Sequence, residues 1–246
     1  MAHNGGTPIL PIYSTFLQRA YDQIINDLCI NNSNALILVY RASIYGNKDM
    51  THLGFNDITM LSNMPNLMYL APTTVEELES SIRYGVEHHN HPIAIRIPVG
   101  SPIYETSQSN TTGCPVTSCN ITQSGNTIAI IGVGNFYHKA VELSHAIHDA
   151  IHISPTLVKP LCISSLDTDT LNELTKDHNI VITLEDGELE GGYGQKIASY
   201  YGKTSMNVLN YGISKQFYDR YNPEDVLQQN HLDFKHILDD IQNIQH

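Results

Sequence analysis

The stretch PILPIYSTFLQRAYDQ, residues 8–23, joins a short apolar run directly to a helical pattern. Its first part, residues 8–13, is almost entirely apolar and predicts a buried β-strand. From Phe16 to Cys29, apolar side chains recur every three or four positions, which predicts a helix. Aromatic rings, an arginine and hydroxyl groups are concentrated where the two elements meet. Because ligands bind where the strands of an α/β sheet end, this turn is a candidate site.

Apolar runs and helical patterns keep alternating along the rest of the chain. This alternation is typical of an α/β fold, in which helices cover both faces of a mostly parallel sheet. We predict two such three-layer domains, over residues 1–100 and 126–246. The further strands are predicted at 35–40, 66–70, 92–98, 127–134, 156–161, 180–186 and 206–213, and the further helices near 71–89, 136–152, 167–176, 191–201 and 231–244.

Between residues 101 and 125 the periodic pattern stops. This stretch is rich in Ser, Thr, Asn, Gly and Pro, which predicts a linker or irregular hairpin between the two domains. Before it, in the helix near 71–89, Thr73 and Glu76 have the spacing of a capping box. The same helix is predicted to bury the face that carries Val75, Leu78, Ile82 and Val86.

The composition excludes several classes of protein. Hydrophobic residues make up 41% of the 246 residues and charged residues 15%, which is typical of a globular protein. The net charge of −12 argues against a nucleic-acid-binding surface. The sequence has no apolar run long enough to cross a membrane and no secretory signal. Its few cysteines favour a reducing cytoplasm over a disulfide scaffold, and they are Cys29, Cys114, Cys119 and Cys162.

Thirteen histidines raise the question of a metal site. Three of them lie in EHHNH, residues 87–91, and three others, His145, His148 and His152, follow one face of a predicted helix. Because the opposite face of that helix is apolar, we interpret this stripe as a solvated surface and predict no metal site. The spacing of Cys114 and Cys119 is likewise not a usual zinc spacing.

The turn GVGNF, residues 132–136, resembles part of a dinucleotide-binding fingerprint. Only Gly132 and Gly134 fit, and the third glycine and the acidic residue about 20 positions on are missing. We therefore interpret GVGNF as a tight turn from a strand into a helix.

The segment YSTFLQRAYDQ, residues 13–23, resembles the pyrimidine-binding domain of 1-deoxy-D-xylulose-5-phosphate synthases. These are transketolase-like enzymes that use thiamine diphosphate. The resemblance continues through residues 41–78, which begin RASIYGNKDMTHLG, and through AIRIPVG, residues 94–100. The motifs LVKPL and LEDGELEGGYG of the second half resemble the C-terminal domain of transketolases, so the similarity covers essentially the whole chain.

The resemblance implies a reaction and a set of site residues. The family condenses pyruvate with an aldehyde acceptor as homodimers, using thiamine diphosphate and Mg²⁺, and acts in isoprenoid and thiamine biosynthesis. Phe16 matches the aromatic residue that stacks on the aminopyrimidine of the cofactor. Tyr13 and Arg19 match residues that line the same pocket. Arg41 matches an arginine that faces the anionic groups of the substrate, and His52 matches a catalytic histidine.

The sequence departs from the family pattern at three places. Val99 stands where the family has an arginine that holds the phosphate of the acceptor. Arg96 is a doubtful substitute, because strand alternation places positions 96 and 99 on opposite faces. Lys48 stands where the family has an acidic residue, and Ser43 where it has a glycine. We expect either a different acceptor or a site that has lost activity.

In the family, the catalytic glutamate and the domain that binds diphosphate and Mg²⁺ precede the YSTF motif. We therefore expect this chain to be a C-terminal portion of such an enzyme that is inactive alone, or a subunit that pairs with a separate diphosphate-binding chain. The alternative is a non-catalytic binding or regulatory module that kept the transketolase fold.

Overall fold

The structure is a computed structural model that describes residues 2–87, 90–101, 103 and 117–245. The predictions that concern His88, His89 and Cys114 lie outside the described residues. In the described ranges, no helix has both the length and the apolar character needed to cross a membrane.

The first half of the chain builds a sheet of four parallel strands, β1 (Ile9–Tyr13), β2 (Leu36–Tyr40), β3 (Met68–Leu70) and β4 (Ile93–Arg96). Their order in the sheet is β1-β2-β4-β3. A continuous helical segment follows β1 and consists of 3-10, α and π turns in succession, Ser14–Ala20, Tyr21–Gln23 and Ile24–Cys29. The helices are α1 (Tyr21–Gln23), α2 (Asp57–Leu61) and α3 (Val75–Glu87), with single 3-10 turns at Ala2–Asn4 and Met50–His52.

The second half builds a sheet of five strands, β5 (Cys119–Gln123), β6 (Thr127–Val133), β7 (Thr156–Pro160), β8 (His178–Glu188) and β9 (Asn207–Ile213). Their order is β5-β7-β6-β8-β9, and among these strands only β5 is antiparallel to its neighbour. The predicted α/β class with mostly parallel sheets is therefore confirmed. The helices of this half are α4 (Phe136–Ile151), α5 (Thr168–Leu174), α6 (Tyr193–Tyr201), α7 (Pro223–Gln229) and α8 (Phe234–Gln245).

The strand β1 is exposed, so the prediction of a buried strand at residues 8–13 is wrong. Ile9 is 49% exposed and Leu10 is 46% exposed. The strand lies at the edge of its sheet, where its partner among the described strands is β2. Pro11, which has no N–H group to donate, suits an edge position. An apolar run therefore leaves two apolar side chains on the surface of this chain.

Strand β5 lies within residues 101–125, which we predicted to form a linker or irregular hairpin. It pairs with β7, and the carboxylate of Asp167 accepts a hydrogen bond from the N–H of Cys119 at 2.8 Å. Polar residues dominate the strand, as expected for an antiparallel edge that faces water, and this is why its sequence CNITQ lacks the apolar signal of the other strands.

The cap of α3 is shifted by one residue from the predicted pair Thr73 and Glu76. The hydroxyl of Thr74 accepts the N–H of Glu77 at 3.2 Å, and the carboxylate of Glu77 accepts the N–H and hydroxyl of Thr73 at 2.8 Å. Glu77 is buried and also pairs with Lys159 of the second domain at 2.5 Å. The capping glutamate is therefore also a contact between the two halves of the chain.

The buried face of α3 also differs from the prediction. Its buried residues are Glu77, Ser81 and Gly85, whereas Val86 is 39% exposed and the other predicted positions are half-buried. A Cβ atom at position 85 would lie 2.7 Å from a methyl carbon of Leu36, so small residues let the helix approach β2 closely. The face of α3 that is buried is therefore the one whose small residues allow the helix backbone to approach β2, and not the one that carries the larger apolar side chains.

Two other interpretations agree with the structure. GVGNF forms the tight turn from β6 into α4, where a Cβ at Gly132 would lie 2.6 Å from the Cα of Tyr137. The stripe of His145, His148 and His152 lies on the exposed face of α4.

Candidate functional site

The carboxyl ends of the parallel strands β1 and β2 place two of the predicted site residues side by side. Tyr13 ends β1 and pairs in register with Tyr40, so Arg41 follows immediately at the end of the neighbouring strand. The 3-10 turn that starts at Ser14 carries Phe16 and Arg19 over the same edge. This edge is where open α/β sheets bind ligands.

The five predicted site residues form one contiguous group, which we call the aromatic patch. The rings of Tyr13 and Phe16 stack with centroids 5.9 Å apart and planes 11° apart. His52 meets Phe16 edge to face at 5.3 Å. The guanidinium of Arg19 lies 5.9 Å from the centroid of Phe16, and that of Arg41 lies 5.8 Å from the centroid of Tyr13. The chain thus brings together residues from three separate segments.

The aromatic patch is open to solvent. Tyr13 is 39% exposed and Phe16 is 36% exposed, and both arginines are exposed. Exposed aromatic rings next to cations can accept a flat, electron-rich ring by stacking and an anionic group by charge. The aminopyrimidine of thiamine diphosphate is a flat ring of this kind, so the residues present fit that part of the cofactor.

A tightly folded loop holds Arg41 and His52 in place. Arg41 has a left-handed backbone with φ of 58°. A Cβ atom on Gly54 would lie 2.0 Å from the carbonyl oxygen of Arg41, and one on Gly46 would lie 2.2 Å from it. Ser43, at φ 94°, donates its N–H to Gly54 O at 2.7 Å, and its hydroxyl accepts the N–H of Tyr45. Serine in place of the family glycine therefore adds a hydrogen bond within the turn.

The imidazole of His52 is oriented through one nitrogen. Its Nδ1 lies 2.8 Å from the hydroxyl of Thr51, and the carbonyl of Thr51 in turn accepts the hydroxyl of Thr15 at 3.2 Å. None of the described residues forms a hydrogen bond with Nε2 of His52, so this nitrogen is available to a ligand. A histidine whose second nitrogen is free can hold or move a proton there.

A cleft of about 820 Å³ next to the aromatic patch is lined by both domains. The first domain contributes Phe16, Arg19 and Met50, and the second contributes Glu188 and the segment Lys215–Phe217. Sequence reasoning missed this second wall, because nothing in the local pattern indicates that residues 200 positions away approach the YSTF turn. Phe217 is 80% exposed at the cleft, although it is a large apolar side chain.

The segment that follows Phe217 braces the loop that carries His52. Arg220 donates its N–H to the carbonyl of Lys48 at 2.7 Å. The hydroxyl of Tyr221 donates to the carbonyl of Ile44 at 2.8 Å. The side chain of Asp219 accepts the N–H of Met50 at 3.2 Å. The second domain therefore fixes the conformation of a site loop in the first.

Arg96 is buried between carboxylates of both domains. Its Nε donates to Asp57 at 2.7 Å, and its other nitrogens contact Asp186 and the far oxygen of Asp57. Burial opposes the charged form, but Asp186 and Asp57 outweigh it and raise the pKa of the Arg96 guanidinium well above its usual range. Burial and Asp57 also raise the pKa of Tyr69, whose hydroxyl donates to Asp57. Arg96 is thus committed to the domain interface and is not free to replace a phosphate-binding arginine.

Val99 follows β4 at the same edge of the sheet as Arg41 follows β2, and these two strands are hydrogen-bonded neighbours. The N–H of Val99 donates to the side-chain oxygen of Asn135 at 3.0 Å, and the amide nitrogen of Asn135 donates to Asp186 at 3.0 Å. The GVGN turn of the second domain therefore holds the backbone at Val99.

The motif LEDGELEGGYG, residues 184–194, builds the start of α6. Glu185 is fully buried and accepts the N–H groups of Tyr193 and Gly194, each at 2.9 Å. A Cβ at Gly192 would lie 2.5 Å from this carboxylate, so glycine is required there. Burial raises the pKa of Glu185 to about 7, although the two N–H donors oppose the shift. In this chain the motif has a structural role, and Asp186 within it pairs with Arg96.

Comparison with known proteins agrees with this architecture. Residues 1–101 match the family model for the transketolase pyrimidine binding domain, and residues 117–237 match that for the transketolase C-terminal domain. A solved split-gene transketolase, described as an inactive β4 tetramer, superposes with a TM-score of 0.84 at 20% sequence identity, over 98% of this chain and 77% of the other. At that identity the superposition shows the fold alone.

The chain belongs to the transketolase family. Within that family it resembles 1-deoxy-D-xylulose-5-phosphate synthases over nearly its whole length. It is 34% identical over 244 residues to that of Alkaliphilus oremlandii, 31% over 252 residues to that of Clostridium tetani and 33% over 249 residues to that of Gloeothece citriformis. These alignments cover 98–99% of this chain but only 38–39% of each relative.

Proposed function

We propose that this chain supplies the pyrimidine half of a thiamine-diphosphate site in a 1-deoxy-D-xylulose-5-phosphate synthase-like transferase. The enzyme would join a two-carbon unit from pyruvate to an aldehyde acceptor. The observation that carries the proposal is the aromatic patch, in which Tyr13, Phe16, Arg19, Arg41 and His52 lie together at the carboxyl edge of the first sheet. We place the diphosphate and Mg²⁺ sites on a domain outside these residues.

The chemistry supplied by bound thiamine diphosphate is attack on the carbonyl of an oxo acid and storage of the electron pair released with carbon dioxide. Phe16 presents its ring to the aminopyrimidine, and Tyr13 and Arg19 line the same pocket. Arg41 binds the carboxylate of the oxo acid, for which a guanidinium has the matching planar geometry. His52 holds a proton on Nε2 close to the substrate oxygen.

Calorimetry with thiamine diphosphate and Mg²⁺ tests this proposal. We expect no binding to the isolated chain, because the diphosphate contacts lie elsewhere. Mixed with the diphosphate-binding domain of its source organism, the chain should bind the cofactor and release carbon dioxide from pyruvate. Binding of equal affinity with and without that domain would contradict the proposed division of the site.

Replacement of Phe16 by alanine in the assembled protein should weaken cofactor binding by about 5- to 150-fold, because one ring-to-ring contact is worth about 1–3 kcal/mol. Calorimetry gives the affinity directly. Exposed Phe217 offers a matched control, since its replacement by alanine removes a ring from the second wall of the cleft and not from the aromatic patch. Equal affinities for Phe16→Ala and the unaltered protein would show that Phe16 does not stack on the cofactor.

The replacement Val99→Arg should improve the use of a phosphorylated acceptor. A charged hydrogen bond to phosphate is worth about 1.5–3 kcal/mol, which predicts a rise of about ten- to a hundredfold in kcat/KM for glyceraldehyde 3-phosphate. The value for unphosphorylated glyceraldehyde should stay unchanged. Val99→Met serves as the control for side-chain length. An equal effect of both replacements would show that position 99 does not face the phosphate.

We propose that the diphosphate-binding domain covers the exposed apolar residues of β1 and the aromatic patch. Ile9, Leu10 and Tyr13 are each 39–49% exposed. Such a run on a strand that lies at the edge of its sheet among the described strands is typical of an interaction surface. The diphosphate-binding domain fits this place, since it must reach the cofactor from the open side of the patch. A homodimer and a cytoplasmic location remain the family expectation.

A non-catalytic module is the second candidate function, and Val99 and Lys48 favour it. These two residues remove an expected cation and an expected acid from the acceptor side of the site. Carbon dioxide release from pyruvate in the assembled protein separates the two functions, because it requires the cofactor but no acceptor. If the assembled protein releases carbon dioxide from pyruvate no faster than buffer without protein, the result would support the non-catalytic module.

A further inference from the structure

A second cleft between the domains lies away from the aromatic patch. It is an open groove with a volume of about 900 Å³, within the size range of small-molecule sites. One wall is the turn that follows α2, the second is the loop after β7, and the third is one face of α6 together with the two glycines that precede it. None of the aromatic patch residues lines this cleft.

The charge of this cleft is opposite to that of the protein. Among the described residues that line it, Lys196 is the one that carries a charge, and no Asp or Glu is present. The chain as a whole carries −12. An anion that approaches this surface therefore meets one cation and no adjacent carboxylate at the wall.

The ammonium group of Lys196 is half-buried and has neutral partners. Its Nζ donates to the carbonyl of Ser62 at 2.9 Å and to the hydroxyl of Ser62 at 2.8 Å. In the described part of the chain, no carboxylate lies within ion-pair distance of it. Glu185 acts on Lys196 through space, but its oxygens bind the N–H groups of Tyr193 and Gly194. Burial lowers the pKa of Lys196, because it disfavours the charged form of the ammonium group. A bound anion would stabilise that charged form.

The remaining lining combines donors with an apolar surface. Ser165 and Ser199 are exposed residues of the cleft, with the hydroxyl of Ser165 3.3 Å from Sγ of Cys162, and half-buried Leu166 and Tyr200 provide apolar area. An ammonium with nearby hydroxyls suits the oxyanion of a phosphate or a carboxylate. Bidentate recognition that selects one of these groups would require the planar guanidinium of an arginine. The volume leaves room for an organic group attached to that oxyanion.

We propose that this cleft binds a small organic oxyanion, with a phosphate or carboxylate group on Lys196 and an apolar group against Leu166 and Tyr200. Because residues of both domains line the cleft, a bound anion would also strengthen the contact between them. The proposed cofactor chemistry does not use this cleft, so the two proposals fail independently.

Amide NMR titration of the chain with phenyl phosphate, benzoate and neutral benzyl alcohol tests the proposal. We expect both anions to shift the signals of Gln195 to Tyr200, and the alcohol to bind about tenfold more weakly. Lys196→Met should weaken anion binding by about ten- to a hundredfold. Lys203→Met, which removes an exposed lysine just after α6, should leave the affinity within about twofold.

The proposal is wrong if neither anion shifts these signals, if the alcohol binds as tightly as the anions, or if Lys196→Met keeps the affinity of the unaltered chain. A purely structural lysine would lower stability on replacement and leave anion affinity unchanged. If Lys196→Met does not fold, Ser199→Glu keeps the test valid, because position 199 is exposed and an added carboxylate there should abolish anion binding. Ser205→Glu, at an exposed position after α6, is its control.

Discussion

Replacement of Arg96 by methionine is expected to lower the free energy of unfolding by about 3–5 kcal/mol. Arg96 is 2% exposed, and it is the cation that lies between Asp57 of the first domain and Asp186 of the second. Without it, two buried carboxylates lose the cation that they share. Their mutual repulsion and lost hydrogen bonds act directly on the contact between the domains.

Urea unfolding followed by circular dichroism measures this loss. Arg83→Met on α3 is the control, because it removes an exposed arginine and should change the free energy of unfolding by less than about 0.5 kcal/mol. Adding Asp186→Asn to Arg96→Met should recover part of the loss, since one unpaired carboxylate disappears. A loss below about 1 kcal/mol in Arg96→Met would mean that the ion pairs do not stabilise the fold.

The second large effect is a dependence of stability on pH that originates at Glu185. Its pKa is about 7 in the folded protein and 4.5 in the unfolded chain. Between these values the unfolded state loses its proton while the folded state keeps it, so stability falls as pH rises. Above pH 7 the full penalty is present, and a difference of this size corresponds to about 3 kcal/mol.

Glu185→Gln should remove this dependence. We expect the drop in free energy of unfolding between pH 5 and pH 8 to shrink by about 2–3 kcal/mol in this variant. The absolute stability also changes, because the amide cannot accept both N–H groups at the start of α6, but that cost is the same at both pH values. Exposed Glu190→Gln is the matched control. An unchanged pH dependence in Glu185→Gln would show that Glu185 titrates normally in the folded state.

Local patterns predicted much of the fold because parallel strands here are continuous apolar runs. The strand β6, with the sequence TIAIIGV, is buried along nearly its whole length and was predicted within one residue at each end. The pattern failed where tertiary contacts decide. Polar β5 is a strand because it pairs with β7, and α7 starts at Asn222–Pro223 with a side-chain cap that the apolar period does not reveal.

The candidate site was predictable to a similar extent. A motif resemblance selected residues at positions 13–19, 41 and 52, and the structure groups their side chains in one patch, while their roles stay predictions. The second wall of the cleft, with Lys215 and Phe217, was not predictable, because it depends on how two domains pack. The pairing of Arg96 with Asp186 was missed for the same reason.

The bracing of the His52 loop by Arg220 and Tyr221 bears on where the coding sequence of such a protein can be divided. A chain tolerates a cut best where few contacts cross it. Here, hydrogen bonds from residues 219–221 reach back to residues 44–50 and hold part of the first domain's site. If separate genes encoded the two domains, the loop at residues 44–50 would lack these hydrogen bonds in the isolated first domain. We therefore expect both domains to stay within one coding sequence.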